Sequence, residues 1–232
     1  ATGGGNELRT NVLSGNTGNG IEISGQARDV LIDPNISGLS TGGNGALPNG
    51  GHGLLIGGYA QNITVGGSFE SVIPQNTFSG NIGYGIAIVD FARDVHVLKS
   101  AIGTSATRTE AFGNAAGGVL LSSVGAGNVI GGVTIDPNDP QSNLISGNKG
   151  LGVTLAYDAQ GQSVIGNEFG ADRFGLPTLP NTGGAIGVNN TLANVIDRNN
   201  GQGSESIDYG LQPQALYSQI EALYVGYFGR AG

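Results

Sequence analysis

Apolar residues in this chain alternate with polar or small ones over runs of only three to five positions, and Gly or Asn bounds nearly every run. In the stretch 20–38 the runs are Gly20–Ser24, Asp29–Asp33 and Asn35–Gly38. Ile21 and Ile23 would face inward with Glu22 outward; Val30 and Ile32 would face inward with Leu31 outward. A period of two is that of a strand, whose successive side chains point to opposite faces. The runs are too short and too Gly-bounded for helices, and β-branched residues dominate their inward positions. The three runs therefore predict strands of three sheets, numbered I, II and III in that order.

The pattern recurs. NVLSGNTGNGIEI at 11–23 returns as NTFSGNIGYGIAI at 76–88 and NLISGNKGLGVTL at 143–155. Midway between the copies lies a second phrase, seen at Gly51–Gly67, Gly117–Gly132 and Gly183–Asp197. Every start of Gly plus apolar residue together gives Ile21, Leu54, Ile86, Val119, Val153 and Ile186, in steps of 33, 32, 33, 34 and 33 residues. Such a fixed period is that of a solenoid, in which each repeat buries its apolar face only against its neighbours. Three strands per turn with parallel pairing between turns predict an all-β parallel β-helix of about six turns, roughly 30 Å long. The residues left over in each turn form loops at alternating corners: Leu39–Gly50, Ser68–Gln75, Thr104–Ala116, Val133–Ser142 and Ala171–Thr182. Most Pro residues fall there, outside ladders that need N–H donors.

The turn before each strand of sheet II carries a short polar residue. ARDV, AQNI, ARDV, AGNV, GQSV and LANV place Asp29, Asn62, Asp94, Asn128, Ser163 and Asn194 in one column. Short polar side chains bond nearby backbone at tight corners, and stacked amides bond one another, so the column is expected to be structural.

With 17 acidic and 9 basic residues the chain carries net charge −8, which argues against nucleic acid and anionic membranes as partners. Only 11% of residues are charged and 45 are Gly, so the surface is one of amides, hydroxyls and glycines. The absence of Cys excludes disulfides and thiolate metal sites. No apolar run is long enough to span a membrane, so no membrane insertion is expected.

Taken together, these turns resemble the right-handed parallel β-helix repeats of secreted bacterial proteins. The resemblance is carried by N-x-I-S-G-N…G-I-x-I…N-x-I-G-G and covers roughly Leu8–Asn199. It implies a right-handed coil and a secreted or cell-surface location. The family includes pectate lyases, polygalacturonases, mannuronan epimerases, tailspikes and inert adhesin stalks, so it leaves activity open.

Each candidate chemical motif is incomplete. His52 lies in GHG, as in polygalacturonases, but the accompanying Asn-Thr-Asp, Asp-Asp and Arg-Ile-Lys are missing, and glycosidic hydrolysis needs two acids. A loop-to-strand junction explains the triplet. Asp33-Pro34-Asn35 and Asp136-Pro137-Asn138 match only the first half of the epimerase Asp-Pro-His. The nearest approach to a catalytic cluster is Asp90, Arg93, Asp94, His96 and Lys99. No cofactor or metal is expected, and calcium, although compatible with the acid content, has no GGxGxDxUx motif behind it. LPNTG at Leu179–Gly183 fits a sortase sorting pattern, but a strand follows it and LPNGG at Leu47–Gly51 occupies the equivalent place four turns earlier.

The outward residues of sheet I are expected to be Glu22, Leu55, Ala87, Leu120, Thr154 and Gly187, a smooth and partly apolar face suited to contact with another surface. Past Gly210 the character changes. Leu216, Ile220, Leu223 and Tyr227 recur at helical spacing over Gln214–Phe228, predicting a helix that caps the last turns near Ile186 and Ile196. ALYVGYFGRAG at Ala222–Gly232 resembles the opening of a helical domain with signature LYxxYFGRA, found in exported and S-layer-associated bacterial proteins, which implies a piece of a longer exported protein. The chain is thus expected to divide into a β-helix at 1–210 and a C-terminal helical segment at 211–232. Two functions fit. One is a non-catalytic extracellular or cell-surface module: stalk, adhesin or matrix element. The other is a polysaccharide lyase, epimerase or hydrolase. Expected partners are polysaccharide, another protein surface, or a second copy meeting the solenoid ends or the smooth face.

Overall fold

The computed structural model describes residues 5–67, 76–132, 142–189, 191, 193–201 and the backbone of 207–210. It is an all-β parallel solenoid with three sheets of seven strands each among those residues. Sheet I holds Ile21–Ile23, Leu54–Ile56, Tyr84–Val89, Gly117–Ser122, Val153–Ala156, Ile186–Asn189 and Ile207–Gly210. Sheet II holds Asn6–Leu8, Arg28–Ile32, Gln61–Val65, Arg93–Val97, Val129–Gly131, Ser163–Ile165 and Val195–Asp197. Sheet III holds Asn11–Leu13, Asn35–Ser37, Thr77–Phe78, Ala101–Ile102, Leu144–Ile145, Glu168–Phe169 and Asn200–Gly201. The chain visits the sheets in the order II, III, I, and neighbours within a sheet are all parallel.

The register follows the sequence period. Ile21 pairs with Leu54, Leu54 with Ile86, Ile86 with Val119, Val119 with Val153 and Val153 with Ile186. One further strand was not legible: Ile207 pairs with Ile186 after only 21 residues, well short of the period of about 33 read from the sequence. The first strand likewise begins at Asn6, ahead of Leu8, where the repeat pattern starts in the sequence. The predicted helix at Gln214–Phe228, with Leu216, Ile220, Leu223 and Tyr227, lies outside the described residues.

Alternation decides the core. The inward positions of sheet I are filled by Leu54, Ile56, Ile86, Ile88, Val119, Leu121, Val153 and Leu155, all fully buried. Ile32, Ile63, Val65, Val95, Val97, Ile130 and Val164 meet them from sheet II, and Phe78, Ile102, Ile145 and Phe169 from sheet III. Burying each such side chain is worth about 1.5–3 kcal/mol, so the core is one apolar column running the length of the coil. The outer face of sheet I is less bare than alternation implies. Leu55, Leu120 and Thr154 are half-buried, Ala87 is buried, and Leu151 lies so close over Gly187 that a Cβ there would collide with it.

Polar ladders hold the corners. At the corner from sheet III to sheet I, Asn16, Asn49, Asn81, Asn114, Asn148 and Asn181 form one continuous stack. Each side-chain amide donates to the Oδ1 of the next at 2.9 Å. The other amide hydrogen of Asn49, Asn81, Asn114, Asn148 and Asn181 goes to the main-chain carbonyl of Leu13, Ser37, Phe78, Ile102 or Ile145 respectively. The buried amides are thereby satisfied, without which burial would cost about 1–3 kcal/mol per group. The corner from II to III has a second stack of Asn11, Asn35 and Asn76, then Ser100, then Asn143, Asn167 and Asn199.

The third corner, from I to II, differs from the single column expected there. Asn62 donates to Asp29, and further along Asn128 donates to Gln162, whose backbone N–H in turn donates to Asn194. His96 pairs with Val129, which sets Asn128 beside Val95 rather than Asp94; the Val95 N–H donates to Asn128 Oδ1 at 3.0 Å. Ser163 sits one step further, paired with Val129 and Val195. The six residues therefore fall into two columns and one strand position. The cause is a one-residue shift: Asp29, Asn62 and Asp94 occupy left-handed backbone (φ 56, 54 and 52°), a place that Gly127 and Gly161 take in the later turns.

On alternate turns the III-to-I corner expands into a small hairpin. Leu39 bridges Ala46 in the first and Thr104 bridges Ala111 in the second, while in the third the Asp172 N–H donates to the Leu176 carbonyl. The hairpins stack on one another across the intervening tight corner: Ala106 N–H donates to Gly43 O, and Arg173 N–H to Arg108 O, each at 2.9 Å.

Candidate functional site

The structure draws the predicted cluster apart. Asp90 lies in the I-to-II turn with φ 51°, Arg93 and Asp94 open the next strand of sheet II, and His96 is exposed midway along it. Lys99 lies past the strand's other end, buried at the II-to-III corner. Five strand residues span about 16 Å, so Asp90 and Lys99 do not face one substrate bond. Arg93 is engaged by its neighbours, at 3.8 Å from the Asp94 carboxylate and donating to Gln61 Oε1. Among the described residues no group of three or more His, Cys, Asp and Glu could hold a metal ion.

His52 acts as a junction. Its backbone N–H donates to Asn19 Oδ1 at 2.8 Å, and its Nδ1 accepts from the Tyr84 N–H at 3.0 Å, one turn on each side. An Nδ1 that accepts belongs to a neutral ring, and burial pushes the His52 pKa down in the same sense. LPNTG is built into the wall: Leu179 and Asn181 are buried, Asn181 is the last rung of the long ladder, and the Thr182 hydroxyl donates to Lys149 O. Asn49 of LPNGG is a rung of the same stack, which explains why the two phrases match.

Two surfaces stand out that the motifs did not indicate. The first is the stacked hairpins, where Arg108, Glu168, Asp172 and Arg173 influence one another. Burial, and then the Asp172 charge, raise the Glu168 pKa, while Arg108 pulls it back. Burial, reinforced by Arg173, lowers that of Arg108. For Asp172, desolvation acts to raise the pKa, but donors from Phe174 N–H, Leu176 N–H and the Thr178 hydroxyl outweigh it and hold it below the usual carboxylate value. Asp172 thus closes its own hairpin.

The second surface is the I-to-II corner with the adjoining edge of sheet II. Tyr59 and Phe91 stack there with ring centroids 5.3 Å apart and planes 10° from parallel, yet stay 59% and 56% exposed. Beside them Arg28, Gln61 and Arg93 share one register, and Asp29 bonds Asn62 in the next column. The signal was present in the sequence as aromatic residues at turn positions (GYA at 58–60, DFA at 90–92, YDA at 157–159), where the first turn carries GQA at 25–27. Compared with known proteins, the chain matches no family model, no curated sequence and no solved structure.

Proposed function

We propose that this chain is a non-catalytic β-solenoid module of the cell surface or extracellular space: a stalk, adhesin or matrix element. The observation that carries the reading is the saturated ladder from Asn16 to Asn181, which ties successive turns together along the axis with buried side-chain bonds. That is the property a spacer or display rod requires. The resemblance of its turns to right-handed repeats of secreted bacterial proteins, and of its ending to the LYxxYFGRA segment of exported, S-layer-associated proteins, supports the setting. The test is twofold. Antibody labelling of intact producer cells should match that of permeabilised ones, and incubation with uronate polymers should release neither unsaturated ends nor reducing sugar. Activity that disappears in His96→Ala and Asp90→Ala would overturn the reading.

A second reading, a polysaccharide lyase, epimerase or hydrolase, has one observation in its favour. Glu168 and Asp172 lie close enough for their charges to influence each other, and glycosidic hydrolysis needs two acids; the Asp172 carboxylate is held by three donors of its own hairpin. Cleavage of a glycan lost in Glu168→Gln would establish it.

A further inference from the structure

We propose that the I-to-II corner and the adjoining edge of sheet II bind a neutral polysaccharide chain lying along the solenoid axis. The inference rests on the module reading above and adds the class of ligand and the residues that hold it.

The aromatic residues are the first argument. Tyr59 and Phe91 are more than half exposed, and Tyr157, further along the same corner, is 66% exposed, so none of them serves the core. Backbone economy does not account for them either. Tyr157 (φ 43°) stands where Gly25 and Gly58 supply the left-handed turn in other coils. Phe91 (φ 67°) follows Asp90, which takes that place in its own coil, in a second left-handed conformation of the kind Gly favours. A bulky side chain at a Gly-favoured position, exposed to water, contributes little to folding and is explained by what it touches. Because the Tyr59 and Phe91 rings stack on each other, what they leave to a ligand is their edges and the outer faces of the pair, apolar area in a polar surround that suits the C–H faces of sugar rings.

The neighbouring columns are the second argument. Arg28, Gln61 and Arg93 lie one rung apart with Asn62 and Asp94 beside them; Arg93 donates to Gln61 and Asn62 to Asp29, and the remaining donors and acceptors of these planar groups line the same edge. Rungs follow each other at about 4.8 Å, so an extended chain along the axis meets a fresh planar group at each step. Sugar hydroxyls both donate and accept, and this mixture of guanidinium, amide and carboxylate answers both.

Charge selects the class of polymer. Arg93 lies 3.8 Å from the Asp94 carboxylate, and Asp29 is exposed in the adjoining column, so acids accompany the arginines along this edge and disfavour a polyanion. The net charge of −8 opposes one further. A protein interface would centre on an apolar patch with few charges, and here charged and amide groups adjoin the rings directly.

The experiment is affinity electrophoresis of the full chain in gels holding xylan, hydroxyethylcellulose or polygalacturonate, with the double variant Tyr59→Ala/Phe91→Gly as comparison. Glycine suits the backbone at Phe91, and circular dichroism and melting should show the fold unchanged. Xylan or hydroxyethylcellulose should retard the parent, polygalacturonate should not, and the variant should bind about tenfold more weakly or worse. Gln61→Ala, remote from the ladders' buried amides, should weaken binding as well, which keeps the test valid if the double variant misfolds. Absence of retardation in both neutral gels, unchanged retardation of the variants, or retardation by polygalacturonate alone would overturn the proposal. So would a dimer in sedimentation that the same substitutions dissolve. Polymer cleavage combined with retardation that the variants lose would support the surface while overturning the non-catalytic reading.

Discussion

The side-chain amide of Asn81 donates to Oδ1 of Asn114 at 2.9 Å, and both side chains are buried. Asn114 also accepts from the Asn81 backbone N–H, donates to Asn148 and donates to the Phe78 carbonyl, so one side chain closes four bonds. Asn114→Ala should therefore leave several buried groups unpartnered, at a cost of about 3–5 kcal/mol, since each such group costs about 1–3 kcal/mol. Urea unfolding of the parent and variant measures it; a change below about 1 kcal/mol would show that water replaces the rung.

Two serines at equivalent tight corners should respond oppositely. The Ser79 hydroxyl accepts from Gly103 N–H at 2.9 Å, whereas the Ser146 hydroxyl is buried without a partner. Ser79→Ala should destabilise by about 1 kcal/mol, and Ser146→Ala should be neutral or stabilising, because it removes a hydroxyl that folding strips of water. Equal losses in the two variants would contradict the difference.

The hairpin carboxylates set a pH dependence. Glu168 has a folded pKa raised above its ordinary 4.5, so its contribution is fully present below that value and is lost as pH rises through the folded pKa. Glu168→Gln should therefore raise the melting temperature at pH 7 and match the parent in acid. Asp172 is lowered from its ordinary 3.8, so its contribution is present above that value and lost as pH falls through the folded pKa. Asp172→Asn should lower the melting temperature at pH 7 and converge with the parent at strongly acid pH. Melting curves across this range check both signs.

Gly103 tests the close packing of turns. Its φ is 96°, and a Cβ built on it would overlap the Ser146 carbonyl oxygen. Gly103→Ala should destabilise strongly, while Gly18→Ala, with open space around it and no such φ, should cost well under about 1 kcal/mol. Comparable melting temperatures for the two would show that the coil gives way at its corner.

Much of this architecture was legible because a solenoid writes its geometry locally. Each inward Ile, Leu or Val meets the residue one period away, so the register of Ile21 with Leu54 could be read by counting. The ladder at the I-to-II corner was misread because counting aligned Asp94 with Asn128, while the backbone placed Gly127 at the left-handed position; similarity of letters cannot reveal a one-residue change in turn conformation. The long ladder was hidden for a related reason. Its rungs come alternately from a tight SGN corner and from the end of a hairpin, so Asn16 and Asn49 share no phrase. Asp90 and Lys99 looked close in sequence, but a strand separates rather than gathers what it carries. Glu168 and Asp172 were invisible as a pair with Arg108, because only stacking of hairpins from different turns brings them together.

The alternation of hairpin and tight corner has a consequence for how such a rod can change length. A hairpin rests on the hairpin two coils away, with Ala106 bonding Gly43 and Arg173 bonding Arg108. Inserting or deleting a single coil would set a hairpin against its nearest neighbour and strand the next one. A pair of coils, by contrast, reproduces its own boundary. A change of length that keeps these contacts therefore comes in pairs of coils, about 10 Å at a time, twice the spacing between strands.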